Sequence, residues 1–302
     1  MKKWFLILLA ALLALGLSGC APEGSANEAK EWFAGGEAAV SDPVDSLDIS
    51  WVDGSVTIAY ADQTDITIAE TAPRKLSSSQ QLRWTLEGTT LRIMYAEAGQ
   101  YSFDRLQKRL TVTLPKDAVL KRAQVSASSG DISAQHLAAE IIKLDATSGN
   151  VNVQCTADSL TVNTTSGLIT LQAGANDMSL NTTSGGVNAI IERGDEVSVN
   201  ASSGHVTLNV REGKSISFHG TSGGADVQVK QAEKIELTST SGNLRLMLDK
   251  ALGFTADATA TSGKITVGVT AAQQGDIYVY GDGNTAVHLS ATSGNITVEE
   301  LK

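Results

Sequence analysis

The sequence predicts an all-β protein, a β-solenoid (β-helix) of about ten coils of about 19 residues, with Ser-Gly corners and hairpin insertions near both ends. Two observations carry this expectation. The triplet Thr/Ser-Ser-Gly recurs with its glycine at Gly130, Gly149, Gly167, Gly185, Gly204, Gly223, Gly242, Gly263 and Gly294, at gaps of 19, 18, 18, 19, 19, 19, 21 and 31 residues. On both sides of each glycine, apolar residues alternate with polar ones, which is the period of a strand with one buried face.

The copies align on the glycine. Five residues before it stand Val125, Leu144, Val162, Leu180, Val199, Phe218, Leu237, Ala258 and Leu289, and seven before stand residues such as Ile142, Leu160, Ile216 and Val287. Two and four residues after it stand pairs such as Val151 and Val153, Ile169 and Leu171, Leu244 and Leu246. The parity of the apolar positions changes at the glycine, so the chain is expected to turn a corner there. Glycine is expected for its backbone freedom. The Ser before it falls on inward parity, with its hydroxyl bonded to the backbone of the bend. One coil cannot bury its own apolar edge, and stacked coils at about 4.8 Å build a continuous core.

A tenth corner lies upstream at Gly54, where Leu47, Ile49, Val56 and Ile58 occupy the same offsets and Asp53 replaces the Ser. Between Gly54 and Gly130, the segment 82–95 reads as a hairpin turning at Glu87-Gly88, and 110–115 as a strand stopped by Pro115. Residues 277–289 read as a second hairpin turning at 281–284. Both insertions are expected to cap the array, because exposed end strands template aggregation.

Ahead of the array lies an address. Lys2 and Lys3 precede an apolar run over 4–15, too short to span a bilayer as a mature helix. Leu17-Ser18-Gly19-Cys20 resembles the bacterial lipobox. The resemblance implies a signal peptide over 1–19, lipidation of Cys20, and an extracytoplasmic protein held to the cell membrane by acyl chains, at the outer membrane in a Gram-negative host. Residues 20–44, rich in Ala, Gly, Glu and Ser, read as a flexible tether, and 45–302 as the β-solenoid domain. Loss of 1–19 moves the formal charge from −10 to −12, which disfavours nucleic acid as a partner. Cys155 falls on inward parity and reads as a buried, inert thiol.

Taken together, the Ser-Gly corners followed by Asn-Val, Asp-Ile or Lys-Ile, the strand 110–115 ahead of them and the hairpin 82–95 resemble the bacterial β-strand-repeat "putative adhesin" family, a domain of unknown function. The resemblance covers roughly 45–302. It implies a β-solenoid outside the cytoplasm with an adhesive role, beside envelope-stress signalling systems in some relatives, and it offers no catalytic residues and no cofactor.

The sequence carries few motifs that suggest chemistry. Gly220-Thr221-Ser222-Gly223-Gly224 matches the spacing of a nucleophile elbow but lies between strands, where an elbow needs a following helix. Gly213-Lys214-Ser215 lacks the upstream glycine of a phosphate loop. His136, His205, His219 and His288 fall at different offsets, with His205 and His219 the one pair worth testing for a metal. The piece 282–284 lacks the spaced carboxylates of a calcium loop. The outward rows four before and three after the glycine are ladders of Thr, Asn and Ser. Charges such as Asp145 are scattered among them; the best local exceptions are Asp226 beside Arg245, and Lys143, Glu236 and Asp257 in the row six before the glycine. The sequence therefore predicts a non-enzymatic, lipid-anchored envelope protein, with no metal or cofactor, that uses a polar face for adhesion to a glycan or surface protein. The alternatives are a structural or regulatory partner of an envelope-stress membrane signalling protein, and a polysaccharide-active β-helix enzyme.

Overall fold

The structure, a computed structural model, describes residues 32–97 and 106–301. The signal segment 1–19, Cys20 and the start of the tether lie outside the described residues. The described residues form one sheet of 21 strands, most of them parallel to their neighbours in the array.

The central array coils are each one long strand between two corners, as in Val151–Thr164, Ile169–Thr182 and Val187–Ala201, and the Gly223 coil is divided into Ala225–Gln231 and Lys234–Ser239. The strands pair in parallel and in phase, so Val151, Ile169, Val187 and Val206 form one column. The apolar offsets read from the sequence point inward. Leu160, Val162, Leu180, Val199 and Phe218 are fully buried. Coils of 18 and 19 residues differ by one residue taken up at a bulge on the side away from the corner, between Ala134 and Leu137 and between Ala173 and Gly174. His136 in the first bulge has φ +60°. The corner register is therefore kept while coil length varies.

The corner differs from the expectation in two respects. The array glycines from Gly130 to Gly294 do not have positive φ; among the corners only Gly54 does, at +98°. Glycine is needed there because the coils touch. A Cβ on Gly149, Gly167, Gly185, Gly204, Gly223 or Gly242 would collide with the carbonyl oxygen of the preceding corner glycine. Second, the Ser before the glycine is exposed, as at Ser148, Ser166 and Ser184. The corner uses two residues that break the strand's parity, so the glycine takes the inward place. At the Gly167, Gly185 and Gly242 corners a buried hydroxyl comes instead from three residues before the glycine, where the other array corners have Ala or Gly. Thr182 Oγ1 accepts the Gly185 N–H at 2.9 Å, Thr164 Oγ1 donates to Gly167 O at 3.1 Å, and Ser239 Oγ accepts the Gly242 N–H at 2.9 Å. Successive corners also join by backbone bonds, such as Ser184 N–H to Thr165 O at 2.8 Å.

At both ends the stacking order departs from chain order. The strands Lys234–Ser239 and Leu244–Leu248 pair with Thr285–Ser293 and Ile296–Glu300, not with Phe254–Ser262 and Ile265–Val267. The Gly294 coil is thus inserted between the Gly242 and Gly263 coils. Asn side chains follow this order: Asn243 Oδ1 accepts Asn295 N–H, and Asn295 Oδ1 accepts Lys264 N–H, both at 2.9 Å. The insertion near this end is present, but its hairpin is Ala272–Gln274 with Ile277–Tyr280. Phe254–Ser262 lies between Ile277–Tyr280 and Thr285–Ser293, so 277–289 is not itself a hairpin.

The other end mirrors this. The Gly54 coil, Ser46–Ala61, is covered by Thr90–Met94 and Lys108–Pro115, and these by the antiparallel strands Arg83–Glu87 and Ile66–Thr71. The expected hairpin turns at Gly88, with φ +61°. Phe33–Ala34 and Glu37–Val40 add outermost, so part of the stretch read as tether belongs to the sheet. Here Lys108 takes the register place opposite Gly54 and is wholly buried. Its Nζ bonds Glu70 at 2.5 Å, Gln80 O at 2.8 Å and Tyr95 O, and lies over the Trp51 and Tyr95 rings. Burial pulls the Lys108 pKa down, and the Glu70 carboxylate opposes that shift.

Two pairs of variants test the corner. Gly185→Val is expected to destabilise by about 4 kcal/mol or more, and Thr207→Ala by about 0.5 kcal/mol or less. Thr182→Val, which strips the Gly185 N–H of its acceptor, is expected to lose about 1–3 kcal/mol, whereas Ser184→Ala changes the denaturation midpoint little. Denaturant unfolding of the four variants measures both contrasts.

Candidate binding groove

The long strands end in a fixed local pattern. The residue four before the glycine points outward, the residue three before it points into the core, and the next two swing out around the corner. Stacking turns this into two rows with a floor between them. The result is a groove of 1080 Å³ crossing seven coils, from Ser50 and Trp51 to His219 and Thr221.

One wall is a ladder of amides. Asn163 Nδ2 donates to Asp145 Oδ1 at 2.7 Å, Asn181 Nδ2 to Asn163 Oδ1 at 2.8 Å, and Asn200 Nδ2 to Asn181 Oδ1 at 2.8 Å. Asp145 sets the direction of the row. An ionised carboxylate only accepts, so every amide above it turns its NH₂ toward it. Each amide oxygen keeps a second lone pair free of the ladder. The opposite wall is the exposed row Ser128, Thr147, Thr165, Thr183, Ser202 and Thr221. The floor hydroxyls of Thr164 and Thr182 are committed to the corners. Asp145 and His219 are the two titratable residues of the lining, Asp145 is ion-paired with Lys143 at 3.4 Å, and no Lys or Arg lines the groove.

The charged residues singled out in the sequence stand elsewhere, each with a partner. Asp226 lies beside Arg245 in register, yet Asp226 contacts His205 Nε2 at 3.1 Å and Arg245 pairs with Glu299 at 2.7 Å. Glu236 pairs with Lys234 at 3.1 Å, and that hydrogen bond lowers its pKa. Asp257 faces His288 at 3.4 Å. The inserted coil puts His288 in register between Glu236 and Asp257, a row that chain order conceals. His205 and His219 have separate partners, Asp226 and Thr238. Among the described residues no three His, Cys, Asp or Glu side chains gather closely enough to hold a metal ion.

The remaining motifs are absorbed by the fold. Ser222 sits in a strand–corner–strand, with its N–H bonded to Ser202 O at 2.7 Å. Lys214 is paired with Asp195 at 2.6 Å, which raises its pKa. Asp282 and Asn284 bond each other within their own turn. Cys155 is buried, and burial pushes its thiol pKa up to about 12. The lipidation residue Cys20 lies outside the described residues.

The family described as Toastrack DUF4097 matches residues 44–299. No curated protein matches the chain. Three crystal structures are similar at low identity. A "putative adhesin" from Bacteroides fragilis NCTC 9343 is 14% identical, with 90% of this chain and 98% of that one covered and a TM-score of 0.45. A "putative lipid binding protein" from Parabacteroides distasonis ATCC 8503 is 16% identical, with 91% and 98% covered and a TM-score of 0.39. A "putative cell adhesion protein" from Clostridium sporogenes ATCC 15579 is 13% identical, with 90% and 99% covered and a TM-score of 0.21.

The ladder's direction makes one substitution informative. Asn181→Asp puts an acceptor where the row needs a donor toward Asn163. It is expected to destabilise by about 1 kcal/mol at pH 7. Ionisation is disfavoured at that place, so the introduced carboxyl's pKa rises in the folded state. The deficit relative to the parent protein is therefore largest above that pKa and shrinks as pH falls through it. Thermal melts of both proteins between pH 7 and pH 3 measure the difference.

Proposed function

The chain belongs to the Toastrack DUF4097 family, and from that premise we propose that it is a non-enzymatic binding module of the cell envelope. In this reading acyl chains on Cys20 hold it to the membrane on the extracytoplasmic side, and the polar groove is its contact surface. The amide ladder carries the reading. It offers a row of fixed carbonyl and hydroxyl groups at strand spacing, about 4.8 Å apart, on a wall that needs no reordering to bind. An uncharged, hydrogen-bonding chain suits such a surface, either a cell-wall glycan or an extended segment of a surface protein. Many weak bonds act together along it, and preorganisation limits the entropy lost on binding.

The carboxylates do not favour a glycan-cleaving reading. Glu192, Asp195, Glu236 and Glu299 are each held by Arg or Lys. A hydrolase of the two-carboxylate type needs one acid kept protonated beside its partner.

Binding of the full chain in detergent to wall glycan, matrix protein and solubilised envelope proteins tests the contact surface. The double variant Asn163→Leu/Asn200→Leu is expected to lose at least about tenfold in affinity, or about 1.4 kcal/mol, and Thr170→Ala to bind as the parent does. Flat curves across the panel, or equal loss in both, would contradict the reading. A single stoichiometric membrane protein crosslinked in cells, insensitive to the groove variant, would assign an envelope-signalling role instead. Cys20→Ser is expected to move the protein to a soluble fraction with its β-rich circular dichroism intact. A variant that stays on the membrane after signal removal would point to a protein anchor.

A further inference from the structure

The two ends of the array are finished differently. Beneath the Gly54 coil the apolar column is closed. Leu91, Ile93, Leu110 and Val112 are fully buried under antiparallel strands, with the Lys108–Glu70 pair at their centre. At the Gly263 coil the column stays open. Ile265 and Val267 are only partly buried against the core, whereas their counterparts Val206 and Leu208 in the Gly204 coil are fully buried. Among the described residues the strand Ile265–Val267 pairs only with Ile296–Glu300. The hairpin Ala272–Gln274/Ile277–Tyr280 covers the first limb of this coil, Phe254–Asp257, and stops there.

The hydrogen-bonding sense of the open edge follows from its inner side. Lys264 O accepts the Ile296 N–H at 2.9 Å, and the Gly268 N–H donates to Val298 O at 2.7 Å. Backbone groups alternate sides along a strand, so the N–H and C=O of Ile265 and Val267 face away from the stack.

We propose that this edge is a self-association surface, joining two copies of the chain tail to tail through antiparallel pairing of Ile265–Val267 about a two-fold axis at Thr266. In that register Ile265 of one copy exchanges both backbone bonds with Val267 of the other, and the reverse, so the open edge of each copy is satisfied by its twin. The inner face sets Ile against Val and joins the two apolar columns into one. On the outer face Thr266 meets Thr266, and Lys264 meets Gly268, so no like charges oppose. A second copy fits better than a head-to-tail neighbour. The far end offers Phe33–Ala34 and Glu37–Val40, two short strands interrupted by Gly35-Gly36 and carrying a carboxylate. A tail-to-tail contact is isologous and closes at two copies, whereas head-to-tail pairing would grow without limit.

The test uses the axis. A non-hydrogen-bonded antiparallel pair brings its Cα atoms to about 4.5 Å, within the roughly 4.4–6.8 Å reach of a disulfide. Thr266→Cys in the full, membrane-held chain, under mild oxidant, is expected to give a reducible dimer at least about tenfold faster than Asn152→Cys, an exposed position in mid-array. Adding Val267→Lys, which places a charge on the joined apolar face, is expected to abolish the difference while the circular dichroism spectrum stays unchanged. Equal crosslinking at the two cysteine positions overturns the proposal. Fast crosslinking of Thr266→Cys that survives Val267→Lys also overturns it, because it marks thiol collision rather than strand pairing.

Discussion

The fold rests on a contact between backbones. At every array corner beyond Gly130 the carbonyl oxygen of one glycine fills the space where the next corner's Cβ would stand. This approach lets corners stack at strand spacing, about 4.8 Å, without splaying, and it holds every coil in phase with its neighbours. The hydrophobic columns depend on that phase. A slip of one residue would turn Leu160, Val162 and their equivalents out to solvent. The amide ladder depends on it as well, because Asn163, Asn181 and Asn200 bond only while their strands stay in register.

The ends solve a second problem set by stacking, which is where to stop. In both cases the terminal coil of the repeat in sequence is not the outermost in space. Ser46–Ala61 lies under a cap built from the 66–115 insertion, and Thr285–Ser293 with Ile296–Glu300 is inserted under the Gly263 coil. Both segments are therefore paired on two sides, and fraying of either must break two ladders. The first cap places a lysine where the array has glycine, and Lys108 with Glu70 and two aromatic rings closes the column. Removing one member of such a pair would leave the other charge buried and unpaired, at a cost of about 3–5 kcal/mol.

Much of this was legible in the sequence. The corner glycines, the inward offsets and the hairpin at Gly88 follow from period-2 patterning and turn chemistry, which are local signals. The inserted Gly294 coil was not legible. A 31-residue gap is compatible with either stacking order, and the choice is made by pairings far apart in the chain. The row Glu236, His288, Asp257 was hidden for the same reason. The serine before each glycine misled because two residues at the corner abandon strand parity, and where a buried hydroxyl serves the corner it is that of Thr164, Thr182 or Ser239, three before the glycine. Lys108 lies ahead of the strand read over 110–115, and nothing local in the sequence marks it for burial. Residues 33–40 read as tether because their Ala, Gly and Glu content carries no strand signal. Of the groove, the polar rows were legible, but not their joining into one concavity or the direction that Asp145 imposes.

One comparison separates close approach from every other reason for glycine at the recurring corner. Gly130 and Gly149 stand in the same Ser-Ser-Gly or Thr-Ser-Gly setting, both without positive φ. A Cβ on Gly149 would collide with Gly130 O, whereas one on Gly130 would meet Gly54 O at 3.4 Å, near ordinary contact. Denaturant unfolding of Gly149→Ala and Gly130→Ala measures the difference. A loss of several kcal/mol, about 3 or more, is expected for Gly149→Ala and about 1 kcal/mol or less for Gly130→Ala. Equal losses at the two corners would contradict it and return the role of glycine to backbone conformation.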